Sequence, residues 1–368
     1  MTTLDANELA DLIRTVERFQ AEHPYEDRPD EQRVRADTQE MARLGWPWIA
    51  VGDDLEAVST SAEALASLFF TVGRHPSAVA LVDLLVALPV VASALGPDRR
   101  SVIEAALEGS AVAATAIWAD EEGGRVASSP WSGVEIRDGE AFGSKTLVHG
   151  VDLADQLIVF GTCDKEPCLS WVSTEDRRVR ATRFGSPDRL ARLGGVQFDG
   201  APAESLLRGE AAVEAYSTLE AVARVAVVAE LAGLSRAAVE QAVDYAKDRQ
   251  QFGRAIGSFQ AVKHLLAEAW SEVYALEASS RKVARSVASG AIGETARDRE
   301  AKIHAALASR AALEAALQVY GGIGFTLECP LSWYFHRVAT LWGDWGDPTV
   351  LMEAAGRSAL ETACVRPC

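Results

Sequence analysis

The sequence predicts an α+β fold in three consecutive parts: an N-terminal helical domain over residues 1–110, a small middle β domain (barrel or sandwich) over 111–201, and a C-terminal four-helix bundle over 202–368. Three observations carry this. Apolar residues fall at helical spacing from Leu4 to about Leu107, β-prone runs broken by Gly, Asp and Ser follow from Ala111, and an alanine-rich helical texture resumes after Pro202. Classes segregated in this way argue against alternating βαβ units.

The first part reads as four or five helices, with breaks at His23-Pro24, Gly52-Asp53 and Gly96-Pro97. In the second, Gly143-Ser144-Lys145-Thr146-Leu147-Val148, Gln156-Leu157-Ile158-Val159-Phe160 and Val196-Gln197-Phe198 read as strands. The third predicts long helices near 211–248, 256–289 and 295–320, punctuated by Gly253, Gly290, Gly293 and Gly321-Gly322. Ile303 with Leu307, and Leu313 with Leu317, stand one turn apart and predict buried stripes, for which a bundle is the natural packing.

Composition removes several functions. A net charge of -17, from 53 acidic against 36 basic residues, repels phosphate backbones and argues against nucleic-acid binding. No window approaches the length of an apolar membrane span, and Met1-Thr2-Thr3-Leu4-Asp5 lacks a leader's basic and apolar regions, so a cytoplasmic protein is expected. Cys163, Cys168, Cys329, Cys364 and Cys368 form no C-x-x-C pair and no zinc-ligand spacing, so free thiols and no metal are expected.

Two stretches of the third part carry chemistry: Asp248-Arg249-Gln250-Gln251-Phe252-Gly253-Arg254-Ala255-Ile256-Gly257-Ser258-Phe259-Gln260, and Gln318-Val319-Tyr320-Gly321-Gly322-Ile323-Gly324-Phe325, with Pro330 and Arg337 following. An arginine at a helix end can make a bidentate, charge-assisted contact to a pyrophosphate, and paired glycines admit a cofactor where a Cβ would collide. Both stretches resemble signatures of the acyl-CoA dehydrogenases, R-x-x-F-G-x-x-I-x-x-F-Q and Q-x-x-G-G-x-G-[FY]. That resemblance implies FAD held across a subunit interface by Arg249, Phe252, Gln260, Gln318, Gly321 and Gly322, an acyl-CoA substrate with Arg224 binding it, and electron-transfer flavoprotein as acceptor.

The middle part is similar to the family more loosely. Gly143 to His149, followed by Ala154-Asp155, resembles the G-x-K-x-[FW]-[IV]-[TP] strand and its trailing A-D, but Leu147 and His149 stand where an aromatic and a threonine are usual. Ala116-Ile117-Trp118-Ala119-Asp120-Glu121-Glu122-Gly123-Gly124 occupies the place of the flavin and acyl-chain loop, without its threonine and proline.

Dehydrogenating a thioester needs a carboxylate within about 3 Å of the α-proton. The family places a glutamate in one of two positions. Counting from Pro330, the first falls on Trp345 in Leu341-Trp342-Gly343-Asp344-Trp345-Gly346-Asp347-Pro348-Thr349. Counting back from Phe252, the second falls on Ala223, before Arg224. No catalytic residue is therefore assigned, and the resemblance is strongest to the non-catalytic subunit of actinobacterial α2β2 steroid side-chain acyl-CoA dehydrogenases, a heterotetramer whose homologous catalytic subunit keeps the base. Two alternatives stay open: a self-sufficient homotetramer using Asp344 or Asp347 as base, as nitroalkane oxidase uses aspartate there, and a flavin-free scaffold or acyl-CoA-binding subunit. Against a base, Asp347 is also placed to cap a helix beginning with Pro348 at its first position.

Overall fold

A computed structural model of the chain describes residues 6–23, 30–121, 125–126, 129–290, 297–326 and 328–365. The opening Met1 to Asp5, the break residue Pro24, Glu122-Gly123-Gly124, Gly293, Cys368 and the side chain of Cys364 lie outside the described residues. The chain forms two compact units: the described residues within 26–61 and 77–220 make the first, and those within 4–25, 62–76 and 221–368 make the second.

Among the described residues six helices come first: α1 (Ala6–Glu22), α2 (Glu31–Arg43), α3 (Leu55–Thr60), α4 (Ala62–Gly73), α5 (Leu88–Leu95) and α6 (Glu104–Leu107), with α1 and α4 in the second unit. Carboxylates start two of them. Asp30 accepts from the amide of Arg33 at 2.7 Å and Asp54 from that of Ala57 at 3.2 Å, satisfying donors that a helix start leaves unpaired. A π turn over Asp83–Ala87 runs straight into α5.

Ten strands follow among the described residues: β1 (Ala113–Ala116), β2 (Asp120–Glu121), β3 (Arg125–Val126), β4 (Val134–Arg137), β5 (Glu140–Val148), β6 (Gln156–Cys163), β7 (Glu166–Ser173), β8 (Val179–Arg183), β9 (Gly194–Pro202) and β10 (Glu204–Arg208). The main sheet has the order β10-β7-β6-β4-β5-β9-β8. β1 runs parallel to the first half of β6, from Ala113 beside Gln156, and β4 lies parallel to its end, with Glu135 beside Thr162, so two short strands share one edge. Alternate residues of these strands, among them Ala114, Val134, Leu157, Val159, Val196 and Phe198, bury one face into a continuous core. The period of two puts the intervening residues on the other side, as Val134 and Ile136 buried with Glu135 and Arg137 exposed illustrate.

The second unit is helical: α7 (Gly209–Asp248), a two-strand hairpin of β11 (Gln250–Gln251) and β12 (Arg254–Ala255), α8 (Gln260–Ala288), α9 (Arg297–Tyr320), α10 (Leu331–Gly343) and α11 (Pro348–Val365). α7 begins within the first unit and passes into the second at Ala221. From Ala221 to Ser235 every residue of α7 is buried, which a stretch made mostly of Ala, Val and Leu permits on all sides, its two charged residues, Arg224 and Glu230, being paired with Asp298 and Arg337. Val239 of α7, Ala269 and Val273 of α8 and Ala312 of α9 share one cluster.

Along α9 the buried stripe differs in part from expectation. Leu313 and Leu317 are buried, but Leu307 is 46 % exposed, because the inward face is made by Ala301, Lys302, Ala305, Ser309, Ala312 and Ala316. Small residues there let neighbouring helices approach closely, and the larger apolar side chain at 307 falls outside that contact.

Candidate functional site

α10 and α11 are joined by the turn Asp344-Trp345-Gly346-Asp347. Asp347 starts α11: its Oδ1 accepts from the amide of Thr349 at 2.8 Å and from that of Val350 at 3.4 Å, and Pro348 follows as the first helical residue. Trp345 is buried and has φ +57°, a left-handed conformation that is uncommon for any residue with a Cβ and more so for a bulky one. Gly346 has φ +130°, and a Cβ there would stand 2.8 Å from Cδ1 of Leu351.

Two buried cations hold this turn from beneath. Lys302 on α9, with no exposed surface, donates from Nζ to the carbonyls of Trp342 at 2.8 Å and Gly346 at 3.2 Å. Arg224 on α7 donates from Nε to the carbonyl of Trp345 at 2.9 Å and from Nη1 to Oδ2 of Asp298 at 2.7 Å. Burial pulls Lys302 down to about 8. Asp344 opposes that shift, Arg224 reinforces it, and Asp347 opposes it.

Neither position that the family resemblance assigns to a glutamate carries a carboxylate. Trp345 is a buried indole, and Ala223 is fully buried within α7. Arg224, expected to bind substrate, has its guanidinium committed to Asp298 and to the turn. One helical turn and a half further on, Glu230 of α7 is paired with Arg337 of α10, Nε to Oε1 at 2.7 Å, both buried. The second Glu230 oxygen, Oε2, has no hydrogen-bond partner.

The residues of the two signatures stand at helix ends on the surface of the second unit. Arg249 follows α7, Gln260 opens α8, Gln318 lies in the last turn of α9, and all three are exposed. Phe252, at the tip of the hairpin, is 91 % exposed with φ +52°. Gly321 has φ +65°, and a Cβ at Gly321 or Gly322 would meet no atom of this chain within 4 Å. Stacking of Tyr245 on Tyr320, with ring centres 4.2 Å apart, joins the end of α7 to the end of α9. An arginine, two amides, an unburied ring and an open glycine pair suit an extended, charged cofactor reaching them from outside the chain.

In the first unit the family-like residues are structural. Lys145 on β5 is buried and donates from Nζ to the carbonyls of Ile117 at 2.7 Å, Pro130 at 2.7 Å and Ser132 at 2.6 Å, closing the stem of the β2–β3 hairpin. Asp155 receives both Nη atoms of Arg35, at 2.8 and 3.1 Å, and the amide of Val112 at 2.8 Å. Burial raises the carboxyl of Asp155, but those bonds outweigh it and hold the group below the usual range. Leu147 is exposed at φ +54°.

Cys163, Cys168 and Cys329 are free thiols. Among the described residues no cluster could hold a metal ion, and no helix is long and apolar enough to cross a membrane. Missed by sequence reasoning were Lys302 and Asp298. Nothing in a residue pattern marks a lysine whose partners are main-chain oxygens.

Residues 215–359 match the acyl-CoA dehydrogenase C-terminal domain. The chain is 30% identical over 352 residues, 89% of its length, to acyl-CoA dehydrogenase FadE34 of Mycobacterium tuberculosis, and covers 44% of that protein. It is 30% identical over 213 residues to 3-(aryl)acrylate reductase of Clostridium sporogenes, covering 54% of this chain and 55% of that protein. The chain thus spans about half the length of the curated relatives it matches. Among solved structures, the Tcur3481-Tcur3483 steroid ACAD G363A variant is similar at 26% identity and TM-score 0.77, covering 97% of this chain and 98% of that one.

Proposed function

Because the chain belongs to the acyl-CoA dehydrogenase family, we propose that it is a subunit of an FAD-dependent acyl-CoA dehydrogenase that lacks its own base and completes the flavin site of a homologous partner. One observation carries the reading. At the place for the base stands a buried tryptophan whose carbonyl is held by Arg224, while the carboxylate nearest to it in sequence on the α11 side, Asp347, caps that helix.

Bound FAD would supply the hydride acceptor for the dehydrogenation. What this chain supplies is the far side of the cofactor cleft. Arg249 would pair with pyrophosphate, Gln260 and Gln318 would hydrogen-bond polar groups, Phe252 would cover a ring, and Gly321-Gly322 would leave room for close approach. The α-proton would go to a carboxylate of the partner subunit. An α2β2 assembly follows from that division of labour, with electron-transfer flavoprotein as acceptor. The similarity to a steroid acyl-CoA dehydrogenase supports a bulky, steroid-derived thioester as substrate.

Co-expression with a homologous subunit that retains the glutamate, followed by counting FAD per chain, tests this. One FAD for every two chains, released on Arg249→Ala in this chain, is expected. A flavin-saturated, active homotetramer, or an assembly with no flavin, contradicts it.

A further inference from the structure

The least expected group of the second unit is Lys302, an ammonium with no exposed surface on the face of α9 that meets α10 and α11. Its two acceptors, the carbonyls of Trp342 and Gly346, bracket the turn. Between them Arg224 takes the carbonyl of Trp345, with its other arm anchored on Asp298. All three acceptors are main-chain atoms, so the grip does not depend on which side chains the turn carries.

The gripped conformation is a strained one. Trp345 at φ +57° is held where a bulky residue rarely stays, and such a conformation persists only when its surroundings over-determine it. The bonds to the carbonyls of 342, 345 and 346 provide that determination, and the amide of Gly346 adds a bond to the carbonyl of Gly343 at 3.3 Å. The charges facing Lys302 are Arg224 from α7 and Asp344 and Asp347 from the turn. Asp298 of α9 balances Arg224.

We propose that Lys302 and Arg224 are positioning residues: they lock the 342–347 turn in the conformation that keeps Trp345 buried, and so hold this subunit with its base position shut. The meaning of that closure rests on the function proposed above, whereas the lock rests on the contacts alone.

The test uses the chain in its co-expressed assembly, labelled with 5-fluorotryptophan, with the resonance of Trp345 identified by its loss in Trp345→Phe. Lys302→Met is expected to move that resonance toward the value of a solvated indole. It should also raise amide exchange over 342–347 by roughly 10-fold or more, the effect of losing one or two buried hydrogen bonds. Buried Trp46 of the first unit is expected to keep its resonance. Should Lys302→Met fail to fold, Arg224→Met with Asp298→Asn removes the other half of the lock without leaving a buried charge unpaired, and the same shifts are expected. An unmoved Trp345 resonance in either variant, or an equal shift at every tryptophan, overturns the lock. The FAD count of the unmutated assembly is read separately: absence of flavin there sinks the proposed function and leaves the lock standing on resonance and exchange.

Discussion

Asp347 offers the sharpest separation between a carboxylate that caps a helix and one that takes a proton. Its Oδ1 accepts from two amides at the start of α11, at 2.8 and 3.4 Å. Replacing it with alanine strands both donors and removes a negative charge from the positive end of the helix, together costing about 1–2 kcal/mol. At roughly 2 °C per kcal/mol for a chain of this size, Asp347→Ala should lower the melting temperature by about 2–4 °C. Asp347→Asn keeps the acceptor and loses only the charge, so its shift should stay under about 1 °C. Differential scanning calorimetry and turnover of the co-expressed assembly, measured on the same two variants, complete the comparison. A cap predicts full turnover for Asp347→Asn, whereas a general base predicts a loss of about 10²–10⁴-fold with the melting temperature unchanged. That second pattern would refute the assignment.

Lys302 is pulled by burial to about 8, so between about pH 8 and its ordinary value of 10.5 the unfolded chain holds a proton that the folded chain has released. Stability therefore rises with pH across that window, by at most about 1.4 kcal/mol per unit, and the melting temperature of the wild type relative to Lys302→Met should climb from pH 7 to pH 9.5. Lys145→Met strands three carbonyls bonded at 2.6–2.7 Å and should cost about 3 kcal/mol or more, read as a fall in melting temperature with the greatest gain in amide exchange at residues 117, 131 and 132. Arg337→Met leaves the buried carboxylate of Glu230 unpaired and should cost about 3–5 kcal/mol, most of which Glu230→Gln in the same chain should recover, as urea denaturation would show.

Much of the helical architecture could be read from residue pattern. The Ala-, Val- and Leu-rich stretch of α7, interrupted by Arg224 and Glu230, left little alternative to a buried helix, and Asp347-Pro348 is a helix start by cap chemistry alone. Strands β5, β6 and β9 were legible as β-prone runs, whereas β4, with Val134 and Ile136 inward and Glu135 and Arg137 outward, is too short for its alternation to stand out. Leu307 misled because helical spacing reports a shared face without saying which face is packed. Main-chain acceptors hid the rest of the site. The partners of Lys302 and Lys145 are carbonyls that every residue possesses, and the pairing of Arg224 with Asp298 spans 74 positions, which no local pattern displays. What a missing glutamate does declare is local, because Trp345 and Ala223 occupy counted positions.

A subunit that lacks its own base removes no α-proton from a thioester. Deuterium incorporation at Cα of an acyl-CoA, incubated in heavy water with the chain alone and supplied FAD, measures that step without waiting for electron transfer. Exchange no faster than in buffer is the expected result, and it should not change in Asp344→Asn. Exchange at an enzymatic rate that Asp344→Asn or Asp347→Asn abolishes would contradict the account.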